Sequence, residues 1–270
     1  SVDFDGANLS TTAPLQRADF HQHEDFSFLR FEGPKGNHPT KPFGISSLPP
    51  IRKLKLKGRP GKPPPYRVER AYPNLKLPFP VTMDVLPGTD VMLAVIQDWS
   101  YAPTRIIRFK DDPEVGAYEV IHSYDGVAYD FAFHPQFRKN GFFYVGWNNG
   151  KLTRITRYTF DLEKMNFDKD SALDLISWEH NGHNGGAIDF GPDGYLYVTT
   201  GDGTSDSDTL LNGQRTDVLF AKVLRVDVDK QEAGKPYSIP KDNPFVGRKD
   251  FAPETWAYGF RNPWRIDVDD

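Results

Sequence analysis

EHNGHNGGAIDFGPDGYLYVTTGDG, residues 179–203, divides into four pieces. Asn181 to Gly186 (NGHNGG) is a glycine-flanked turn holding a histidine. Ala187 to Phe190 (AIDF) is a short alternating strand, and Gly191 to Gly194 (GPDG) has the residues of a tight turn. Tyr195 to Thr200 (YLYVTT) is a second strand, rich in aromatic and β-branched residues. The stretch is therefore an antiparallel hairpin with His183 at its entry. Small neighbours let a ligand approach the ring, and imidazole titrates where proton transfer near neutrality requires. A plainer reading stands beside this one: Gly182, Gly185 and Gly186 serve only the backbone, and His183 caps a strand.

The same unit recurs. Turns at Pro87, His134 and Gly191 lie 47 and 57 residues apart. Each is preceded by an apolar strand (Val81 to Leu86, Ala128 to Phe133, Ala187 to Phe190) and followed by another (Val91 to Asp98, Phe142 to Asn148, Tyr195 to Thr200). A third strand closes each unit: Arg105 to Lys110, Thr153 to Phe160, Lys222 to Asp229. Units of three or four strands recurring about every 50 residues mark β-propeller blades. Helical patterns are missing. Glu254 to Tyr258 and Trp264 to Asp267 read as the opening strands of a fourth unit.

Composition agrees with an all-β chain. The 270 residues include 23 Gly, 23 Pro and 14% aromatics, which favours many short strands and turns. A net charge of −4 gives no reason to expect nucleic acid or an anionic membrane as partner. No apolar run is long enough for a membrane span. Without cysteine the chain forms no disulfide, thiolate metal site or c-type haem link, and it is indifferent to redox compartment. The start at Ser1 fits a cleaved leader or an incomplete N-terminus.

Residues 1–50 carry no sustained period, and their fold is open. His21 and His23 would share one face of a strand, as two metal ligands can, but no third ligand accompanies them, and a solvated loop accounts for them equally. Residues 51–65 form a basic, Pro-rich linker, extended and semi-rigid, whose charges either meet an acidic partner or keep it solvated. The organised domain is expected over residues 66–270.

Three stretches carry a family resemblance: HNGGAIDFGPDGYLYVTTGDG (residues 183–203), AYGFRNPWRIDVD (residues 257–269) and YDFAFHPQFRKNGFFYVGWN (residues 129–148). The chain from about Tyr66 onward resembles the soluble quinoprotein glucose/sorbosone dehydrogenases, closest to large bacterial members. The resemblance implies a six-bladed β-propeller, of which this chain would hold three to four blades. The rest would come from a continuation of the chain or a second chain, and residues 1–270 alone are not expected to form the functional unit. It implies dehydrogenation of a sugar or other alcohol with pyrroloquinoline quinone as hydride acceptor, calcium as a second cofactor, and an external electron acceptor such as a cytochrome c. It implies His183 as general base, Arg261 as the cation facing the cofactor and Asn262 as a cofactor contact. A periplasmic or secreted location follows from the same likeness.

One departure is visible. Where the family usually carries a cofactor-touching Gln or Glu, this chain has Ser123 to Val127, with Asp125 nearest. Calcium ligands of the family would fall past Asp270. Within the chain, Asp202, Asp206 and Asp208 have oxygen-rich spacing without the full calcium-loop signature, so the segment to Asp217 is open between a metal loop, a substrate rim and a plain connection. The alternative to an enzyme is a propeller that serves as a binding or scaffold module.

Overall fold

The computed structural model describes residues 69–268, except 99, 100, 180, 206 and 233. The readings on residues 1–65, His21 and His23 among them, and on Asp206 lie outside the described residues.

The chain forms three consecutive four-stranded antiparallel sheets. The first is β1 (Pro80–Val85), β2 (Val91–Gln97), β3 (Thr104–Lys110) and β4 (Glu119–Tyr124). The second is β5 (Val127–Phe133), β6 (Phe142–Asn148), β7 (Leu152–Asp161) and β8 (Asn166–Glu179). The third is β9 (Gly185–Phe190), β10 (Leu196–Thr200), β11 (Lys222–Val226) and β12 (Thr255–Tyr258). Each sheet is a meander in sequence order, as in a propeller blade. Among the described residues, helix is confined to one turn at Phe137–Asn140 and a 3₁₀ turn at Asn212–Gln214.

Each blade has a fourth, outer strand. One correction follows. Thr255–Tyr258 does not open a fourth unit but completes the third, with Val223 opposite Ala257 and Lys222 opposite Tyr258. Residues 264–267 form no strand. The preceding Pro263 has no N–H to give to a ladder.

Burial explains why several strands read as unbroken apolar runs. In β2, Leu93 and Val95 face the second blade and pack with Phe131, Phe143 and Val145, whereas Met92, Ala94 and Ile96 pack with Leu75, Ile107 and Phe109. A strand covered on both faces has no polar side to alternate with. Tyr144, Ile155, Ile176 and Trp178 of the second blade meet Ile188, Leu196, Val198, Leu224 and Val226 of the third. The blades are thus glued face to face by interleaved aliphatic and aromatic side chains, and that packing sets the entry to β9, where His183 sits.

Candidate functional site

The NGHNGG turn folds directly onto the segment that follows β10. The His183 amide donates to Thr204 O at 2.7 Å, and the Gly203 amide donates to His183 O at 3.0 Å. Glycine is required for this approach. A Cβ on Gly182 (φ +129°) would stand 2.5 Å from Thr204 O, and one on Gly185 (φ +67°) 2.6 Å from Thr199 O. Any side chain would push the two backbones apart.

This contact brings His183 to Asp202. Nδ1 lies 2.9 Å from Asp202 Oδ1; the imidazole is 14% exposed and the carboxylate fully buried. The same oxygen accepts from the Thr204 amide and the Thr204 hydroxyl, each at 2.9 Å. Burial pushes the Asp202 carboxyl up, but the hydrogen bonds from Thr204 and His183 outweigh it and hold the group below the usual carboxylate range. An ionised carboxylate only accepts, so Nδ1 carries the ring proton and Nε2 is the basic nitrogen. The arrangement can take a proton from a hydroxyl placed at Nε2.

The second signature stretch meets the first here. The Asp202 amide donates to Arg261 O at 2.8 Å, and the Gly185 amide donates to Asn262 Oδ1 at 3.2 Å. Arg261 is exposed. Behind the turn, Asn184 Nδ2 donates to Gly182 O at 2.7 Å and to the Tyr129 hydroxyl at 3.1 Å. Trp178 Nε1 donates to Asn184 O at 3.0 Å, and Asn148 also donates to the Tyr129 hydroxyl. The histidine turn therefore rests on a polar brace drawn from the second blade.

His183, Arg261 and Asn262, far apart in sequence, are placed together at one end of the third blade. Asp202, weighed in the sequence as a metal ligand, is the hydrogen-bond partner of His183. Asp208 is used differently: its carboxylate receives the Asn212 and Gly213 amides at 2.7 and 2.9 Å and caps the 3₁₀ turn. Among the described residues no group of three or more His, Cys, Asp or Glu is placed to hold a metal ion. Asp125 is exposed in the turn between β4 and β5. Sequence reasoning missed Thr204, Asn212 and Tyr129 as supports. A cleft of about 570 Å³ opens near the other ends of the inner strands, lined by Asp84, His134 and Asp189 among others.

By residue type, Arg261 carries the guanidinium fork that suits a planar, oxygen-rich anion, and Asn262, with Oδ1 engaged by Gly185, has amide hydrogens of the same use.

Comparison with known proteins gives the lineage. The chain is 46% identical over 99 residues to HIPL2 protein of Arabidopsis thaliana, covering 33% of this chain and 14% of that protein. It is 34% identical over 152 residues to human Hedgehog-interacting protein, covering 51% of this chain and 22% of that one. Among solved structures it resembles the PQQ-bound form of aldose sugar dehydrogenase from Streptomyces coelicolor, with a TM-score of 0.54 and 25% identity over 73% of this chain and 55% of that one. The chain thus spans well under two thirds of these relatives. The sequence model of the family described as Glucose / Sorbosone dehydrogenase matches residues 79–270, most of the chain, and the chain belongs to that family.

Proposed function

We propose that this chain carries the proton-accepting half of a quinone-dependent dehydrogenase acting on a sugar or other alcohol or hemiacetal group. The observation that supports it most is the His183–Asp202 pair: a buried carboxylate holds Nδ1–H and leaves Nε2 basic at a rim shared with Arg261 and Asn262. Pyrroloquinoline quinone, when bound, would supply the acceptor for the hydride, that is, for both electrons and one proton of the oxidation. Arg261 and Asn262 would hold its oxygens. His183 takes the substrate hydroxyl proton at Nε2, and Asp202 stabilises the imidazolium that results. Reoxidation by an external acceptor such as a cytochrome c, a periplasmic or secreted location, and further blades completing the ring belong to the same reading.

A second reading, a non-catalytic binding propeller, draws on the likeness to Hedgehog-interacting protein and on Asp125 standing where the family has Gln or Glu. One assay separates the two. Pyrroloquinoline quinone is titrated into the full-length protein that carries this chain, and its absorbance is followed before and after adding an aldose. Saturable binding followed by sugar-dependent bleaching is expected. Absence of both would favour the binding module.

A further inference from the structure

The segment 201–221 carries Asp202 at its start and returns to the sheet at Lys222. Lys222 is the first residue of β11 and fully buried. A lysine there is costly, since a Met or Leu would fill the same space without an ammonium to desolvate. Burial lowers its pKa from 10.5 to about 8, opposed by the charge of Asp217 and assisted by that of Arg215. Among the described residues no carboxylate bonds the ammonium. Instead Nζ donates to Arg215 O at 2.7 Å and to Phe220 O at 2.8 Å, both carbonyls of the segment itself.

The remaining bonds show what this grip does. Thr200, the last residue before the segment, has a hydroxyl that donates to Leu219 O and accepts from the Lys222 amide at 3.0 Å. The Ala221 amide donates to Gly201 O at 2.7 Å. Entry and exit are therefore stapled together, with the ammonium holding the return path. Midway, Asn212 Nδ2 donates to Asp202 O at 2.8 Å, which ties the middle of the segment to the residue that orients His183.

We propose that Lys222 is a positioning residue, its buried ammonium fixing segment 201–221 and, through Asn212, the Asp202 carboxylate against His183. The catalytic consequence rests on His183 being the base; the structural consequence does not. Two variants test it in the full-length protein. Lys222→Met keeps volume and removes the donor, and Lys222→Gln keeps polarity but ends one bond short of the two carbonyls. Hydrogen exchange of peptides from 203–221 is expected to speed up by about tenfold or more, the scale of losing the two buried hydrogen bonds from Nζ. The hydrogen-bonded Nδ1–H proton resonance of His183 should broaden into solvent exchange, as in Asp202→Ala. Peptides of the first blade should keep their protection. Should Lys222→Met unfold, the Gln variant answers alone. Unchanged exchange in 203–221 and an intact Nδ1–H signal in a folded variant would overturn the proposal. Those readouts need no cofactor, so a protein that fails to oxidise sugars still tests it.

Discussion

His183 and His134 each stand beside a turn and each face an aspartate, with burial reversed. At His183 the carboxylate is fully buried and the imidazole reaches the rim. At His134 the imidazole side chain is 2% exposed and Asp229 is 58% exposed. Nδ1 of His134 receives the Gln136 amide at 3.0 Å and meets Asn140 Nδ2 at 2.8 Å, so it is the accepting nitrogen. Nε2 comes 3.1 Å from Asp229 Oδ1. The ring also packs against Phe190 at 5.3 Å. A buried acid with an outward imidazole suits proton acceptance; a buried imidazole with an outward acid suits a structural brace. The same residue pair thus has opposite uses, decided by which member is desolvated.

The sharpest way to break this contrast is to delete each imidazole and read rate and stability separately. In the full-length protein loaded with the quinone, His183→Ala should lower turnover by about a hundred- to ten-thousandfold, with a smaller fall in the urea midpoint than at His134, since the buried Asp202 carboxylate loses the imidazole but keeps both Thr204 hydrogen bonds. Comparable turnover would sink the base assignment. His134→Ala should do the reverse. It removes a packed ring and strands the Gln136 amide, at a cost of about 2–4 kcal/mol in unfolding free energy, while kcat of the folded fraction holds. A His134 variant as stable as the parent would erase the distinction.

Much of this was legible in the sequence, for definite reasons. The glycines of NGHNGG announce a close backbone approach, and the GPDG turn sets the hairpin. The His183–Asp202 pair was implicit in that hairpin too. Gly185 lies opposite Thr200, and two residues further out on both strands stand His183 and Asp202. It went unread because acidic residues at alternate positions read equally well as a metal loop. The outer strands β4 and β8 escaped because a blade's edge is half solvated; β8, NFDKDSALDLISWE, mixes charge with apolar residues and keeps no clean period. Thr255–Tyr258 was assigned to the next unit because residues 227–254 separate it from β11. Lys222 gave no signal: a lysine opening a strand reads as an exposed end, and only the fold of 201–221 over it buries the side chain.

The smallest effect expected is at Asp229, and its pH dependence is the finer test. At neutral pH His134 is uncharged, so Asp229→Asn forfeits only a weak contact at a half-exposed site. Less than about 1 kcal/mol of stability should be lost. Burial lowers the His134 pKa from its ordinary 6.5, and Asp229 partly offsets that by favouring the charged ring. Below pH 6.5 the unfolded chain takes up a proton that the native ring resists, so the protein loses stability as pH falls through that window. Removing the carboxylate lowers the native pKa further and steepens the loss. The gap between parent and Asp229→Asn should therefore widen from pH 7 to pH 5 in paired urea unfolding curves, and the widening should vanish when His134 is replaced as well. A gap that narrows on acidification would mean that Asp229 does not act on the ring at all, and His134 would then be held by Gln136, Asn140 and packing alone.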